Sequence, residues 1–600
     1  MRLLFLGLVA IPVLAQTPRY SQPEALWAEW RRQAPAFTER QLENMPLADR
    51  ARWELSVRRI QGIVAPPLLP PELDKPTEAL WLEKAAQAKE PGEIFDAFYF
   101  LNRLRSAKSM DAFANLAIDG STVFGAWPKH LRLDAQFTAA LLAANDASQI
   151  EKIAIIMDSY RNSMQRDPVR EMVLWLRLSM AGREVKQPEP IEATPHAILA
   201  LMDAWNRAPW AKRSELLPPG KLNLEPGSAF WPSLGLKPPS AETLALAHVG
   251  IMARLAEGVP NPAPKDWAER IGAPQILDAD LLARWYGFQS LDRFAELPSE
   301  MSKALDSVIK DKKLSPLLRA MLLPALYKHR PKLAQAWRDE LLAGKDPIAR
   351  SLAVEHIKEA PKEKDLEALI KRVWRIEEYD SVQGLINAMP QWKLPTDKHQ
   401  ELLKKFLSHP SWTARLDAWR ELRKLDPAAA WPKVPEPATK IDQDIMSLAQ
   451  ELLRKGEAVR IQVDFRDHGS VVMSLDPINA PMNVANLVIL ARRGFFDGRR
   501  VPRIVPDFVV QMGSPCDTMD GGPGYNVRCE NSLHWYGPGS VGMALSGMDT
   551  GGCQFFFTLN ATPHLTGKYT RVGELENLDE AMKVLESLEL GAVIERVGVI

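Results

Sequence analysis

Along most of the chain, apolar residues recur at spacings of three and four. SQPEALWAEWRRQ (21–33), EIFDAFYFLNRLRSA (93–107) and LAQAWRDELLAG (333–344) each gather their large side chains into one stripe, the mark of an amphipathic helix. The pattern holds from about residue 20 to 455 and is broken by Pro-rich stretches at 65–73, 217–240, 259–266 and 427–437. Proline removes a backbone donor and disfavours helix in its predecessor, so these stretches predict turns or linkers. After a helical segment at 444–456 the period falls to two. VRIQVDF (459–465) and GSVVMSLDP (469–477) predict strands, 480–499 a Pro-initiated helix stopped at Gly494, 578–591 a second amphipathic helix and 593–600 a closing strand. The fold class expected is multidomain, with an all-α N-terminal region and a C-terminal closed antiparallel β-barrel capped by two helices.

Within the helical region a unit repeats. Ser315-Pro316-Leu317-Leu318-Arg319 returns 31 residues later as Asp346-Pro347-Ile348-Ala349-Arg350, and related segments begin at Asp380 and His409. RDPVREMVLWLRL (166–178) reads as an earlier, more divergent copy. Asp or Ser is expected to cap each helix, and Pro fits a first turn where its missing N–H is not needed. Arg319 and Arg350, three residues past their prolines, are expected to reach neighbouring carboxylates or carbonyls. The pattern resembles HEAT-like helical repeats, which implies a curved solenoid able to hold a protein partner; a plain helical spacer fits the same pattern. Five segments follow: 1–15, 16–260 (helical), 261–440 (HEAT-like repeats), 441–456 (a connecting helix) and 457–600 (the barrel).

The first of these is an export signal by its pattern. Arg2 precedes an apolar run from Leu3 to Leu14 that ends Val13-Leu14-Ala15, a Sec-type signal peptide with cleavage near Ala15. The run is shorter than the ~20 residues a membrane span needs, and no later run is long enough. The protein is therefore expected to be exported, periplasmic or secreted, with no membrane span. Among 600 residues, 75 Lys+Arg balance 75 Asp+Glu, which leaves no field to recruit nucleic acid. Three cysteines exclude a disulfide-rich scaffold; Cys516 and Cys529 flank one loop and could bridge, and the sequence leaves that open. His196, His248, His329, His356, His399 and His409 are scattered without ligand spacing, so neither a metal nor any other cofactor is expected. GGPGY (521–525) lacks the helix and Lys-Ser/Thr of a phosphate loop and reads as a tight barrel loop.

The chemistry is concentrated at the C-terminal end. APMNVANLVILARRGFFDG, VPRIVPDFVVQMG, GGPGY, YGPGSVGMALSG, GGCQFFFTL, PHLTGKY and VGEL follow one another between residues 480 and 575. Seven blocks in this order resemble the cyclophilin-type peptidyl-prolyl cis/trans isomerases, in a form similar to the bacterial branch, across about residues 457–600. The resemblance implies a cyclophilin barrel, isomerase activity, and binding of proline-containing segments of exported, unfolded clients. It implies Arg503, Phe508 and Gln511 as the catalytic set, and Val509, Ala544, Leu545, Gln554, Phe556, His564, Leu565 and Tyr569 as the substrate groove. For Phe508 and Phe556, plain barrel core is the other reading.

These residue types suit the reaction. Rotation about an X–Pro bond must break amide resonance across ~18–20 kcal/mol, and no covalent step is required. A guanidinium at Arg503 would bond the prolyl nitrogen more strongly once twisting restores its lone pair, and about 3 kcal/mol of such preference gives roughly a hundredfold acceleration. Several positions depart from the family. Val501-Pro502 replace the usual Phe-His, Leu545 an Asn, His564 a Trp and Thr566 an Asp, which points to a retuned substrate preference. A scaffold or chaperone that binds Pro-containing segments without turnover is the alternative.

Overall fold

The computed structural model describes residues 69–106, 108–109, 131, 167–430, 432 and 440–600. The expected signal peptide and the helix over 21–33 lie outside them.

Helices of the arm begin where the sequence offers a cap. Helices α1 (Glu78–Gln87) and α2 (Pro91–Arg103) form a hairpin. Helix α3 (Pro168–Met180) starts on Asp167, whose carboxylate accepts from the Val169 and Arg170 amides. Helices α4 (Pro195–Asn206), α5 (Ala241–Glu257) and α6 (Leu281–Ser290) then pack in succession. Helix α7 (Pro347–Val354) starts on Asp346, which accepts from the Ile348 and Ala349 amides, and Ser315 caps Pro316–Met321 in the same way. Each cap satisfies donors that a helix start leaves bare, a contribution of about 1 kcal/mol. Asp380 departs from the expected pattern. It sits inside helix α8 (Tyr379–Ala388), in its first turn, because a 3₁₀ turn at Ile376–Glu378 leads directly into the helix. Helix α9 (Trp412–Leu425) follows Ser411, whose side chain makes no capping bond.

The repeated arginines find partners of the expected kind. Arg319 makes a two-pronged bond to Glu340 at 2.9 and 2.7 Å. Arg350, 1% exposed, pairs with Glu378, also 1% exposed, and donates to the Gly344 and Leu342 carbonyls. That pair clamps α7 to the entry of α8.

The C-terminal domain is an eight-stranded sheet: β1 (Val459–Phe465), β2 (Gly469–Leu475), β3 (Arg503–Val505), β4 (Val509–Met512), β5 (Ser540–Met543), β6 (Phe555–Thr558), β7 (Arg571–Leu575) and β8 (Ile594–Val599). Spatial order is β3-β4-β6-β5-β7-β2-β1-β8, with every neighbouring pair antiparallel. The expected closed barrel is thus a curled sheet whose end strands, β3 and β8, do not pair. Pro502 and Pro506 flank β3 and supply no N–H, which limits it to three residues. The gap is stitched instead by the segment before β3, through Val501 N–H to the Ala592 carbonyl at 2.9 Å and Ile594 N–H, at the start of β8, to the Arg499 carbonyl at 2.7 Å.

Helix α10 (Lys440–Lys455) connects arm to sheet and packs on α11 (Pro481–Arg492); α12 (Leu578–Ser587) covers β2. Helix α11 is buried nearly throughout. Ala480 cannot cap it, and the buried Glu530 carboxylate does so from a distance, accepting from the Met482 and Asn483 amides at 3.1 and 2.9 Å.

Arm and sheet share their interior. One hydrophobic cluster runs from Met172 through Ala353 into Ile461, Val510, Met512, Phe555 and Phe557. A second joins α1, α2 and α3 to Leu533, Trp535 and Ala561, and the Trp535 indole donates to Asp96 of α2 at 3.0 Å. Cys516, Cys529 and Cys553 are free thiols, so the bridge left open above is not formed. Instead the Cys529 sulfur accepts from the Asp549 amide at 3.1 Å. No helix among the described residues is long and apolar enough to cross a membrane.

Candidate active site

Strand register assembles the site. Arg503 lies opposite Gln511 on β4, Gln511 opposite Phe556 on β6, and Phe556 opposite Gly542 on β5. Directly paired residues share a face, so these four form a row across four strands. Their neighbours Val510, Met512, Phe555 and Phe557 point the other way, into the core, each 0% exposed. The FFF run is therefore split: its outer members are core and Phe556 belongs to the groove.

Glycine shapes two points of this row. A Cβ on Gly542 would lie 2.3 Å from the Phe556 ring and 2.7 Å from the Tyr536 hydroxyl, so only glycine leaves space for the two stacked rings. Gly513, at φ +94, follows Met512, and a Cβ there would strike the Cys553 carbonyl at 2.4 Å. Substitution there would push the end of β4 away from Cys553 and Gln554, just before β6.

The polar side of the groove is a chain of bonds. Arg503 Nη1 donates to Gln511 Oε1 at 3.1 Å, and Gln511 Nε2 donates to Gln554 Oε1 at 3.1 Å. Gln554 Nε2 in turn donates to the Met519 and Gly521 carbonyls at 3.1 and 3.0 Å. The guanidinium lies 5.7 Å from the centre of the Phe508 ring. Burial lowers its pKa, opposed by Tyr286 and Glu257. Arginine starts so high that it stays a cation.

Val509, Phe556 and Leu565 pack with Tyr536 into an apolar slot, with Phe508, Ala544 and Tyr569 against it. His564 stacks on Phe508 with ring centres 5.5 Å apart. Leu545 lies beside Ala544, whose amide donates to the Gln554 carbonyl at 3.0 Å. All eleven residues singled out from the sequence thus lie around one groove.

The arm also reaches this groove, through contacts that no local sequence pattern marks. Tyr99 of α2 also stacks on His564, ring centres 5.2 Å apart and 8° from parallel, and its hydroxyl lies 2.7 Å from His564 Nδ1. His564 is pushed down to about 4 by burial and by Arg103 and Lys568, so it is neutral at pH 7. Behind Arg503, the Tyr286 hydroxyl of α6 donates to the Pro502 carbonyl at 3.0 Å, and Arg254 of α5 donates to the Ile504 carbonyl. The Trp285 indole donates to Asp520 at 2.6 Å. These contacts span hundreds of residues, and none has a local motif. No group of three or more His, Cys, Asp or Glu among the described residues is arranged to hold a metal ion.

Residues 459–598 match the family model of cyclophilin type peptidyl-prolyl cis-trans isomerase/CLD. A peptidyl-prolyl cis-trans isomerase of Synechococcus elongatus is 39% identical over 134 residues, 22% of this chain and 92% of that protein. One from Helicobacter pylori is 38% identical over 131 residues, 22% of this chain and 80% of that protein. A crystal structure of a cyclophilin type peptidyl-prolyl cis-trans isomerase from Cryptosporidium parvum aligns over 24% of this chain and 98% of its own, with 23% identity and a TM-score of 0.23.

Proposed function

The chain belongs to the cyclophilin-type peptidyl-prolyl cis-trans isomerases, and from that premise we propose that Arg503 drives X–Pro rotation in exported polypeptide clients by favouring the twisted amide. The observation that carries this is the bond chain Arg503–Gln511–Gln554, anchored on two backbone carbonyls beside an apolar slot. A proline ring seated against Phe556 and Leu565 would bring its nitrogen towards the guanidinium. That nitrogen is a poor acceptor while planar and a good one when pyramidal, so the bond strengthens only as the amide turns. Gln511 holds the fork in place before the substrate arrives, which removes a reorganisation cost from the reacting state. Phe508, Val509, Ala544, Leu545, His564 and Tyr569 would form the remaining walls.

Isomerisation of a proline tetrapeptide by the full chain tests this. Arg503→Ala should lower kcat/KM about a hundredfold, equivalent to about 3 kcal/mol, with little change in KM. Arg503→Lys should not restore it, because an ammonium lacks the planar fork. Wild-type turnover at background would favour a Pro-segment binder without catalysis, and an Arg503→Ala rate within threefold of wild type would remove the arginine from the mechanism.

Export is supported by the N-terminal pattern Arg2, Leu3–Leu14, Ala15. The mature protein would then begin at Gln16, which N-terminal sequencing of cell-derived material checks; an intact Met1 would count against it. The recurring capped helices support a HEAT-like arm that positions clients near the groove.

A further inference from the structure

Arg503 stands on the shortest strand of the sheet. Strand β3 has three residues, lies at one end of the strand order and pairs with β4 alone. Pro502 precedes it and Pro506 follows it, so neither flank extends the ladder. A strand this short, held on one side, has little of its own to fix it. Its backbone groups on the open side need partners from elsewhere.

The arm supplies those partners. Pro502 and Ile504 bracket Arg503, and both of their carbonyls accept from arm side chains. The Tyr286 hydroxyl of α6 donates to Pro502 at 3.0 Å, and Nη2 of Arg254 on α5 donates to Ile504. Arg254 and Tyr286 are 5% and 6% exposed. Nη1 of Arg254 pairs with Glu257 one turn along α5, so a single guanidinium ties helix to strand. Burying that charge is costly unless its donors are used, and here they are spent on a carboxylate and a carbonyl. A third grip lies at the turn into β4, where Arg170 of α3 forms an ion pair with Asp507, itself at φ +59. Three arm helices thus hold the one hairpin that carries Arg503, Phe508, Val509 and Gln511. Elsewhere the arm meets the sheet through apolar side chains. These polar bonds fall instead on the backbone to either side of one residue.

We propose that Arg254 and Tyr286 are positioning residues of the isomerase: by holding the carbonyls on both sides of Arg503, they fix its place on β3 and so aim the guanidinium. The proposal rests on the reading of Arg503 as the group that favours the twisted amide. A fork that must meet one nitrogen at one stage of rotation tolerates little error, and a displacement of about 1 Å costs on the order of a hundredfold in rate. Gln511 steadies the fork from the groove side at 3.1 Å. The strand beneath it is seated from behind by α5 and α6.

The test is peptide isomerisation by the full chain, run as a cycle with Arg503. Tyr286→Phe removes one oxygen and keeps the ring. It should lower kcat roughly two- to twelvefold, the range of one hydrogen bond, with KM little changed because Arg503 acts on the twisted state. Arg254→Met should lower kcat at least as far, and Arg254→Lys, which still offers a donor to Ile504, should recover part of the loss. In an Arg503→Ala background the same substitutions should leave the residual rate nearly unchanged, because the group they position is gone. A damaged fold would lower the rate in both backgrounds alike. Where Arg254→Met disturbs the arm, as circular dichroism would show, the milder Tyr286→Phe decides. A wild-type kcat in Tyr286→Phe, or an equal fractional loss with and without Arg503, overturns the positioning role. Normal wild-type turnover and a large loss in Arg503→Ala would still leave the isomerase reading standing. Wild-type turnover at background, or an Arg503→Ala variant close to wild type, removes that reading and the positioning role with it.

Discussion

Tyr99 tests whether the arm completes the groove or only lies against it. Its hydroxyl bonds His564 Nδ1 at 2.7 Å, and its ring stacks on the imidazole that backs Phe508. Tyr99→Phe keeps the stack and removes the bond to His564 together with a long 3.3 Å one from the exposed Arg103, and the first is a net loss of about 0.5–1.5 kcal/mol. Tyr99→Ala also removes the ring contact, another ~0.5–1.5 kcal/mol. If that energy holds His564 and Phe508 in the conformation that meets the substrate, 1 kcal/mol corresponds to about fivefold in rate. Tyr99→Phe should therefore lose about two- to twelvefold in kcat/KM and Tyr99→Ala about fivefold or more. Because Tyr99 acts through His564, the loss should appear largely in KM, and phenylalanine should recover about half of the free energy that alanine removes. The assay is peptide isomerisation by the full chain, with circular dichroism to verify that the helices remain. An alanine variant within twofold of wild type would refute the idea that α2 shapes the groove.

Two further outcomes concern stability. Arg350→Met strands Glu378 at 1% exposure, which should cost about 3–5 kcal/mol in denaturant unfolding, and a second change of Glu378→Gln should recover most of it. A single-variant cost below about 1 kcal/mol would refute the pair's role. The buried titrating groups pull in opposite directions. Burial pushes His356 and His564 down to about 4, so their contribution is present above the usual histidine value and is lost as pH falls from about 6.5 to 4. Asp380 is raised from 3.8 to about 7, so its contribution is present at low pH and is lost as pH rises through 7. Asp380→Asn should therefore unfold at a higher temperature than wild type at pH 8 and lose that advantage at pH 5; an equal advantage at both would contradict the placement of Asp380.

The C-terminal site was readable because its residues lie in seven blocks that follow one another in the order of a known family, some of them close together. Arg503 and Gln511 are eight residues apart, and a tight turn between β3 and β4 brings them opposite each other. The caps at Asp167, Ser315 and Asp346 were readable because a capping oxygen acts within three residues. Asp380 misled because the preceding turn at Ile376–Glu378 carries no mark in the sequence that separates it from a helix start. Closure of the sheet was overestimated because the two prolines that shorten β3 act on a partner strand 90 residues away. Nothing local could pair Tyr99 with His564, 465 positions apart, or Arg254 with Ile504, 250 apart. Such contacts come from how helices pack in space, which periodicity does not encode.

The span of those contacts bears on how the molecule is made. Synthesis runs from the N-terminus, so α2 leaves the ribosome long before Trp535 and His564 exist. Until they arrive, the face of α2 that meets Leu533, Trp535 and Ala561 stays wet. A nascent or prematurely ended chain would carry that greasy face uncovered, and a working groove appears only with the last stretch of polypeptide.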